Sequence, residues 1–357
     1  MTTRQIQSNP QQFFQSACEI FKKAINNTKS SRKIHIHIGG HTICLHFAGR
    51  AMIPFIKPAF EHVICDSTNK PNLNIYVWDS VSTFTEMVPP PWSEDSYIGR
   101  GDIKNYGNEQ IHISYPLGPC TLSALNIQQN IGLFWVYDAN RIPYYESAAP
   151  LRAILHWWMR EHEYQLIHAA AVGSSNKGVL LIGKGCSGKS TTALNCLLAG
   201  MDYAGDDYVL IRRKPRPYVY SIYNSAKLDD HSIQRLPVFI PIVHNPDKSK
   251  QEKSLLFLNK KYKKGLVSGF PVKALIESQI TGQKYSEIVT GSPMSITKAL
   301  ATSTIFQLTG AGSRDLHEIT QLITELPCYL LKLGTDLDHA TKTIKKLVHQ
   351  NENNIRQ

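Results

Sequence analysis

Apolar residues recur at helical spacing near the start of the chain. Phe13, Phe14, Ala17, Ile20, Phe21, Ala24 and Ile25 predict an amphipathic helix over residues 10–27. Polar residues 26–31 read as a linker, after which the period drops to two. Residues 34–47 alternate apolar and polar around Gly39-Gly40, which predicts a β-hairpin. Its histidines fall on alternate positions, the solvent face expected of a half-buried strand. Further strands are predicted at 73–78, 111–115 and 133–137, with an irregular loop at Pro89-Pro90-Pro91-Trp92. Residues 30–143 therefore read as a β-rich domain. It holds no catalytic constellation, so recognition or scaffolding is its expected role.

The second half alternates between the two periods. Pro150 opens a predicted helix to about His162, with Leu151, Ile154, Leu155 and Trp158 on one face. Residues 164–172 predict one strand, 173–176 a turn and 179–182 a buried strand; 191–199 are helix-compatible, with Gly200 as the stop. Three regions result: 1–145 β-rich, 146–345 α/β, and 346–357 a polar tail.

Composition narrows the class. The chain has 357 residues, 42% hydrophobic and 19% charged, as in soluble globular proteins of two domains. No apolar run approaches membrane-spanning length, so no membrane partner is expected. The first ten residues lack the apolar core of a signal peptide. The seven cysteines are scattered with no Cys-x-x-Cys pair, which predicts reduced thiols and a cytoplasmic location. Net charge is +11, and residues 211–264 carry thirteen Lys/Arg against four Asp/Glu. That segment suits an anionic partner, and its stretch 260–265 reads as a solvated loop. No zinc-finger spacing, aromatic RNA-binding signature or recognition helix points to nucleic acid.

The candidate chemistry begins at Gly-Lys-Gly-Cys-Ser-Gly-Lys-Ser, residues 183–190, directly after the buried strand. Gly183, Gly188, Lys189 and Ser190 occupy the defining positions of a phosphate-binding P-loop. The glycines let backbone N–H groups face phosphate oxygens, and the following helix adds its positive end. Gly183, Gly185, Cys186, Ser187, Gly188, Lys189, Ser190 and Thr191 are thus the expected nucleotide-binding residues, with ATP and Mg²⁺ as ligands. Lys189 is expected on the β/γ-phosphates and the Ser190 hydroxyl on the metal.

Asp206 and Asp207 stand 17 and 18 positions past Lys189, before the apolar run 208–211. Phosphoryl transfer uses one carboxylate for Mg²⁺ and another to orient or deprotonate an attacking hydroxyl. The sequence leaves open which aspartate does which.

Ile167-His168-Ala169, the P-loop, its helix, Gly200 and Asp206-Asp207 together resemble HPr kinase/phosphorylase, whose core is shared with ATP-using phosphoenolpyruvate carboxykinases. The resemblance covers about 50 residues, 165–213. It implies that His168 lies beside the transferring phosphate, and that the aspartates supply a metal contact and a base. The downstream Glu-Ile-Arg-Gly-Leu-Gly type signature of that family is missing, and the first domain lacks its N-domain patterns, so HPr is not the expected acceptor. The layout is most similar to the lasso-peptide tailoring kinases, whose segments resemble residues 221–228 and 303–308 here. On that basis Lys227 becomes a candidate for phosphate or carboxylate contact, and Arg314 a candidate for a loop closing over phosphates.

The expectation is a P-loop α/β core with a smaller β-rich N-terminal domain. It would be a kinase acting on a serine or threonine hydroxyl of a peptide or protein. A small-metabolite kinase, or a nucleotide-gated binding protein without transfer, is the alternative. A homo-oligomer is compatible with the resemblance.

Overall fold

The computed structural model describes residues 9–350 except 69, 105, 117 and 119. It divides into two compact units. The first comprises the chain to Pro58, Val63–His162 and Leu308–Gly310; the second comprises Ala59–His62, Glu163–Gln307 and the chain from Ala311. Where a boundary near 145 was expected, the first unit continues through the helix that follows.

In the first unit the elements are α1 (Pro10–Thr28), β1 (Ser31–Ile38), β2 (His41–Ala48), α2 (Ile53–Phe60, which runs into the second unit), β3 (Leu73–Asp79), α3 (Ser80–Thr83), β4 (Ile111–Ser114), β5 (Thr121–Asn126), β6 (Ile131–Val136), α4 (Tyr144–Ala148) and α5 (Arg152–Arg160). Six strands form one sheet in the order β1-β2-β3-β6-β5-β4. The expected hairpin is present, with Ile38 facing His41 across Gly39-Gly40. The expected solvent face holds for His37, which is exposed, and needs correction for His35, which is buried, and His46, which bonds Asn74 at 2.8 Å. α1 lays its predicted face, Phe13, Phe14, Ala17, Phe21 and Ala24, into an aromatic core with Trp78, Trp92 and Trp135. Asn9 caps it by accepting from the Gln12 N–H.

The second unit contains β7 (Gln165–Ile167), β8 (Ala170–Ser174), β9 (Lys177–Ile182), α6 (Lys189–Leu198), β10 (Asp202–Gly205), β11 (Val209–Arg212), β12 (Tyr218–Tyr220), β13 (Ser225–Leu228), α7 (Asp230–Arg235), β14 (Ser254–Phe257), α8 (Asn259–Tyr262), β15 (Gly269–Ile280), β16 (Glu287–Thr290), α9 (Pro293–Ile305), α10 (Ser313–Glu325), β17 (Cys328–Leu333) and α11 (Leu337–His349). Nine strands form a mixed sheet. Its path runs β10-β8-β9-β15-β12-β11-β7, with β17 beside β15 and β16 beside β17. β15 is parallel to β9 and β17 and antiparallel to β12. One core forms where α6 and α11 meet Val172, Val179, Leu181 and Ile276. Another forms where α9 and α10 meet Leu180, Ile182, Val209 and Leu275. Alternate residues of β9 thus face opposite helical layers, as the pleat requires.

Three expectations change here. The single strand over 164–172 is two, broken at His168-Ala169: β7 pairs with β11 and β8 with β9 and β10. At the break the His168 N–H donates to the Thr304 hydroxyl at 3.0 Å instead of joining a ladder. The stretch 260–265, expected as a loop, holds part of α8 and a 3-10 turn. α11 extends into the expected polar tail, whose last residues, 351–357, lie outside those described. Among the described residues no helix is long and apolar enough to cross a membrane.

Candidate functional site

The loop from β9 to α6 takes its shape from two glycines. Gly183 has φ +151°, and a Cβ there would lie 2.5 Å from Ser187 Oγ. Gly188 has φ +89°, and a Cβ there would lie 2.7 Å from Leu333 Cδ1. Neither place admits a side chain without rearrangement. Gly188 also begins α6 with no side-chain cap, so the positive helix end is left for a ligand. The Lys189 ammonium folds back to donate to Gly183 O at 2.7 Å and Lys184 O at 3.0 Å. Burial lowers its pKa, with Asp206 and Asp207 pulling the other way.

A cavity of about 600 Å³ opens over this loop. Gly185, Cys186, Ser187, Gly188, Lys189, Ser190 and Thr191 line it, as do His168, Asp206, Asp207 and Lys227. Gly183 shapes the loop without being among the lining residues. Arg314 is not among them either; it sits in the first turn of α10 rather than in a loop. The aspartates occupy the turn between β10 and β11, and β10 is separated from β9 by β8 rather than adjacent to it.

The two aspartates have opposite surroundings. Asp206 is 1% exposed, and neither carboxylate oxygen has a regular hydrogen bond within the described residues. Burial, then the charge of Asp207, raises its pKa, while the Ser190 hydroxyl and Lys189 draw it down. Asp207 has a left-handed backbone, φ +70°, which turns its side chain towards a histidine and a lysine. His168 Nε2 is 3.1 Å from Oδ1 and Lys227 Nζ is 2.6 Å from Oδ2. Burial opposes ionisation, but Lys227 and then His168 outweigh it and hold the carboxyl well below the usual range. Lys227 is presented by β13, paired to β14 through Leu255.

Outside these residues the site recruits groups that no local motif announced. The Thr191 hydroxyl donates to Ser232 Oγ at 3.0 Å, tying α6 to α7. Tyr208, edge-on to His168 with centroids 5.4 Å apart, donates to Gln307 Oε1 at 2.9 Å. Arg235, Lys253 and Gln307 also line the cavity. Arg235 and Lys253 were signalled only by the excess of basic residues over 211–264, and Gln307 only by the resemblance of residues 303–308.

The residues fit a small hard cation in one respect: Asp206 is a buried carboxylate with no regular hydrogen bond among the described residues, beside the Ser190 hydroxyl. Mg²⁺ takes one or two carboxylates, substrate phosphates and water. Among the described residues no group of three or more His, Cys, Asp or Glu gathers for a metal, so any ion here would rely on ligands beyond the protein.

No protein-family model matches the chain, and no curated protein does. Among solved structures it is similar to the HPr(Ser) kinase/phosphatase from Coxiella burnetii, with a TM-score of 0.30 and 11% identity over 51% of this chain and 95% of that one.

Proposed function

We propose that this chain is an ATP- and Mg²⁺-dependent kinase that transfers the γ-phosphate to a serine or threonine hydroxyl of a peptide or protein. The acceptor suggested by the sequence resemblance is a ribosomally made precursor peptide of lasso type. The observation that carries the reading is the contrast between adjacent aspartates in one cavity: Asp206 unpaired beside Ser190, Asp207 clasped by His168 and Lys227.

In this reading Lys189 leaves its loop carbonyls for the phosphates, and the uncapped start of α6 receives them. Asp206 and Ser190 hold the metal, which supplies neutralisation of phosphate charge. Asp207 orients the acceptor hydroxyl. As the acceptor oxygen bonds to the γ-phosphorus and the β–γ bridging bond breaks, the hydroxyl proton passes to Asp207. Lys227 is placed to exchange its partner for phosphate oxygens, freeing Oδ2 for that proton. His168 keeps the other oxygen fixed. Asp207 is a weak base, which suits a loose transition state whose barrier falls mainly through positioning.

The test is mass spectrometry of synthetic serine- and threonine-containing peptides incubated with ATP and Mg²⁺. A phosphorylated product, absent with Asp207→Asn although ATP still binds, supports the reading. Label appearing in small metabolites and not peptides would favour the metabolite kinase. Tight ATP binding with no transfer to either would favour a nucleotide-gated binding protein.

A further inference from the structure

The most exposed large apolar residues of the second unit stand near opposite ends of one helix. Met294, 81% exposed, opens α9, and Phe306, 70% exposed, follows its last residue. Between them Thr297, Lys298, Ala301 and Ile305 continue the stripe at helical spacing, and with Leu316 of α10 they wall a groove of about 600 Å³. Its threonines add little polarity. The Thr297 hydroxyl donates to Pro293 O at 2.8 Å and the Thr302 hydroxyl to Lys298 O at 2.6 Å, both within α9. The one charged group on the wall is Lys298, with no ion pair among the described residues.

The groove and the cavity are lined by adjacent residues of the chain. Phe306 belongs to the groove and Gln307 to the cavity, and the Tyr208 hydroxyl fixes Gln307 Oε1. From Met294 to Ile305 the helix rises about 16 Å, the reach of roughly five extended residues. An apolar track thus leads to the acceptor side of the site, where His168 and Asp207 stand.

We propose that this groove holds the flank of the acceptor polypeptide: an extended segment with apolar side chains about two to seven residues from the phosphorylated hydroxyl, and an acidic residue opposite Lys298. Gln307 then offers its amide N–H to the peptide backbone between flank and acceptor. The inference rests on the kinase reading, because it takes the Asp207 side of the cavity as the place of the acceptor hydroxyl.

The experiment uses the full chain and fluorescein-labelled decapeptides, each with one serine and a Leu-Phe pair moved stepwise along it, with or without a neighbouring aspartate. Anisotropy reads binding and mass spectrometry reads transfer. We expect peptides with the pair two to seven residues from serine to bind at least tenfold tighter than versions with Gly-Ser in its place. Phe306→Ser and Met294→Ser should each erase that preference, while thermal melting and ATP affinity stay as in wild type. Lys298→Glu should reverse the effect of the aspartate. Binding indifferent to the pair, or a preference that survives both groove variants, overturns the proposal. So does a shift from dimer to monomer in the groove variants with peptide binding unchanged, since the groove would then cover a second copy. Peptide binding with the expected preference, but no transfer even to the tightest binder, would keep the groove and remove the kinase reading.

Discussion

Each unit buries one aspartate at the end of a strand, and the two are equally hidden: Asp79 and Asp206 are both 1% exposed. Asp79 closes β3 and caps α3, accepting from the Ser82 N–H at 2.8 Å and from the Ser82 hydroxyl. Asp206 follows β10 and accepts no regular hydrogen bond among the described residues. Burial of a carboxylate is therefore no sign of function by itself. An unpaired buried carboxylate is costly, which makes Asp206 and not Asp79 the candidate for a ligand from outside the chain.

The sharpest way to break this comparison is Asp206→Asn. If its carboxylate serves a metal, transfer should fall on the order of 10³-fold, the scale of losing a well-placed electrostatic group. The ligand-free protein should meanwhile become more stable by roughly 1–3 kcal/mol, since a buried unsatisfied charge is removed. The sign follows from its raised pKa. Ionising such a group opposes folding above the ordinary carboxylate range, so the gain should show at pH 8 and vanish well below pH 4 in melting curves. A variant that is less stable at pH 8 would show that Asp206 is structural, like Asp79.

Asp207→Asn should also lower transfer, by about 10²-fold or more, as expected on losing a base. Its stability effect should be opposite. Removing Asp207 leaves His168 and Lys227 facing each other without an anion, at a cost of roughly 3 kcal/mol. Because the folded-state pKa of Asp207 is lowered, its contribution is present above the ordinary carboxylate value and is lost only as pH falls through the lowered one. Denaturant titrations at pH 7 and pH 3 separate the two aspartates.

Asp79→Ala should cost about 1–2 kcal/mol through loss of the α3 cap, with the kcat of transfer unchanged. The smallest effect concerns proton and metal at Asp206. Protons compete with Mg²⁺ for a carboxylate whose pKa is raised, so the acid limb of the pH–rate profile should move to lower pH as Mg²⁺ rises. An acid limb indifferent to Mg²⁺ would separate Asp206 from the metal.

What could be read from the sequence was local. The loop at 183–190 is legible because its backbone turns on its own glycines, and the β1–β2 hairpin on Gly39-Gly40. The face of α1 follows from spacing alone. The break at His168 was invisible because its cause, the Thr304 hydroxyl, lies 136 positions away. β5 went unread because all six of its residues are buried, and its alternation runs only from Thr121 to Ala124 before Leu125 breaks it. Lys227 was a candidate only through resemblance; its pairing with Asp207 depends on β13 meeting β14, which no local pattern encodes. The contrast between the aspartates was likewise hidden, since adjacent identical residues differ only through distant neighbours.

The position of β15 bears on how the protein is made. β9, which leads into the glycine loop at 183–190, pairs in parallel with a strand that emerges much later: Leu180 faces Leu275, 95 positions on. At bacterial-scale synthesis rates of about 5–20 residues per second, that edge waits roughly 5–20 s for its partner. β17, which supplies Leu333 behind Gly188, arrives later still. The nascent chain therefore carries an apolar strand edge through about a quarter of its translation, and chaperone occupancy should peak in that interval. Ribosome-bound chains truncated before residue 269 should be sensitive to protease across 165–182, and those long enough to expose β17 outside the ribosome should be protected.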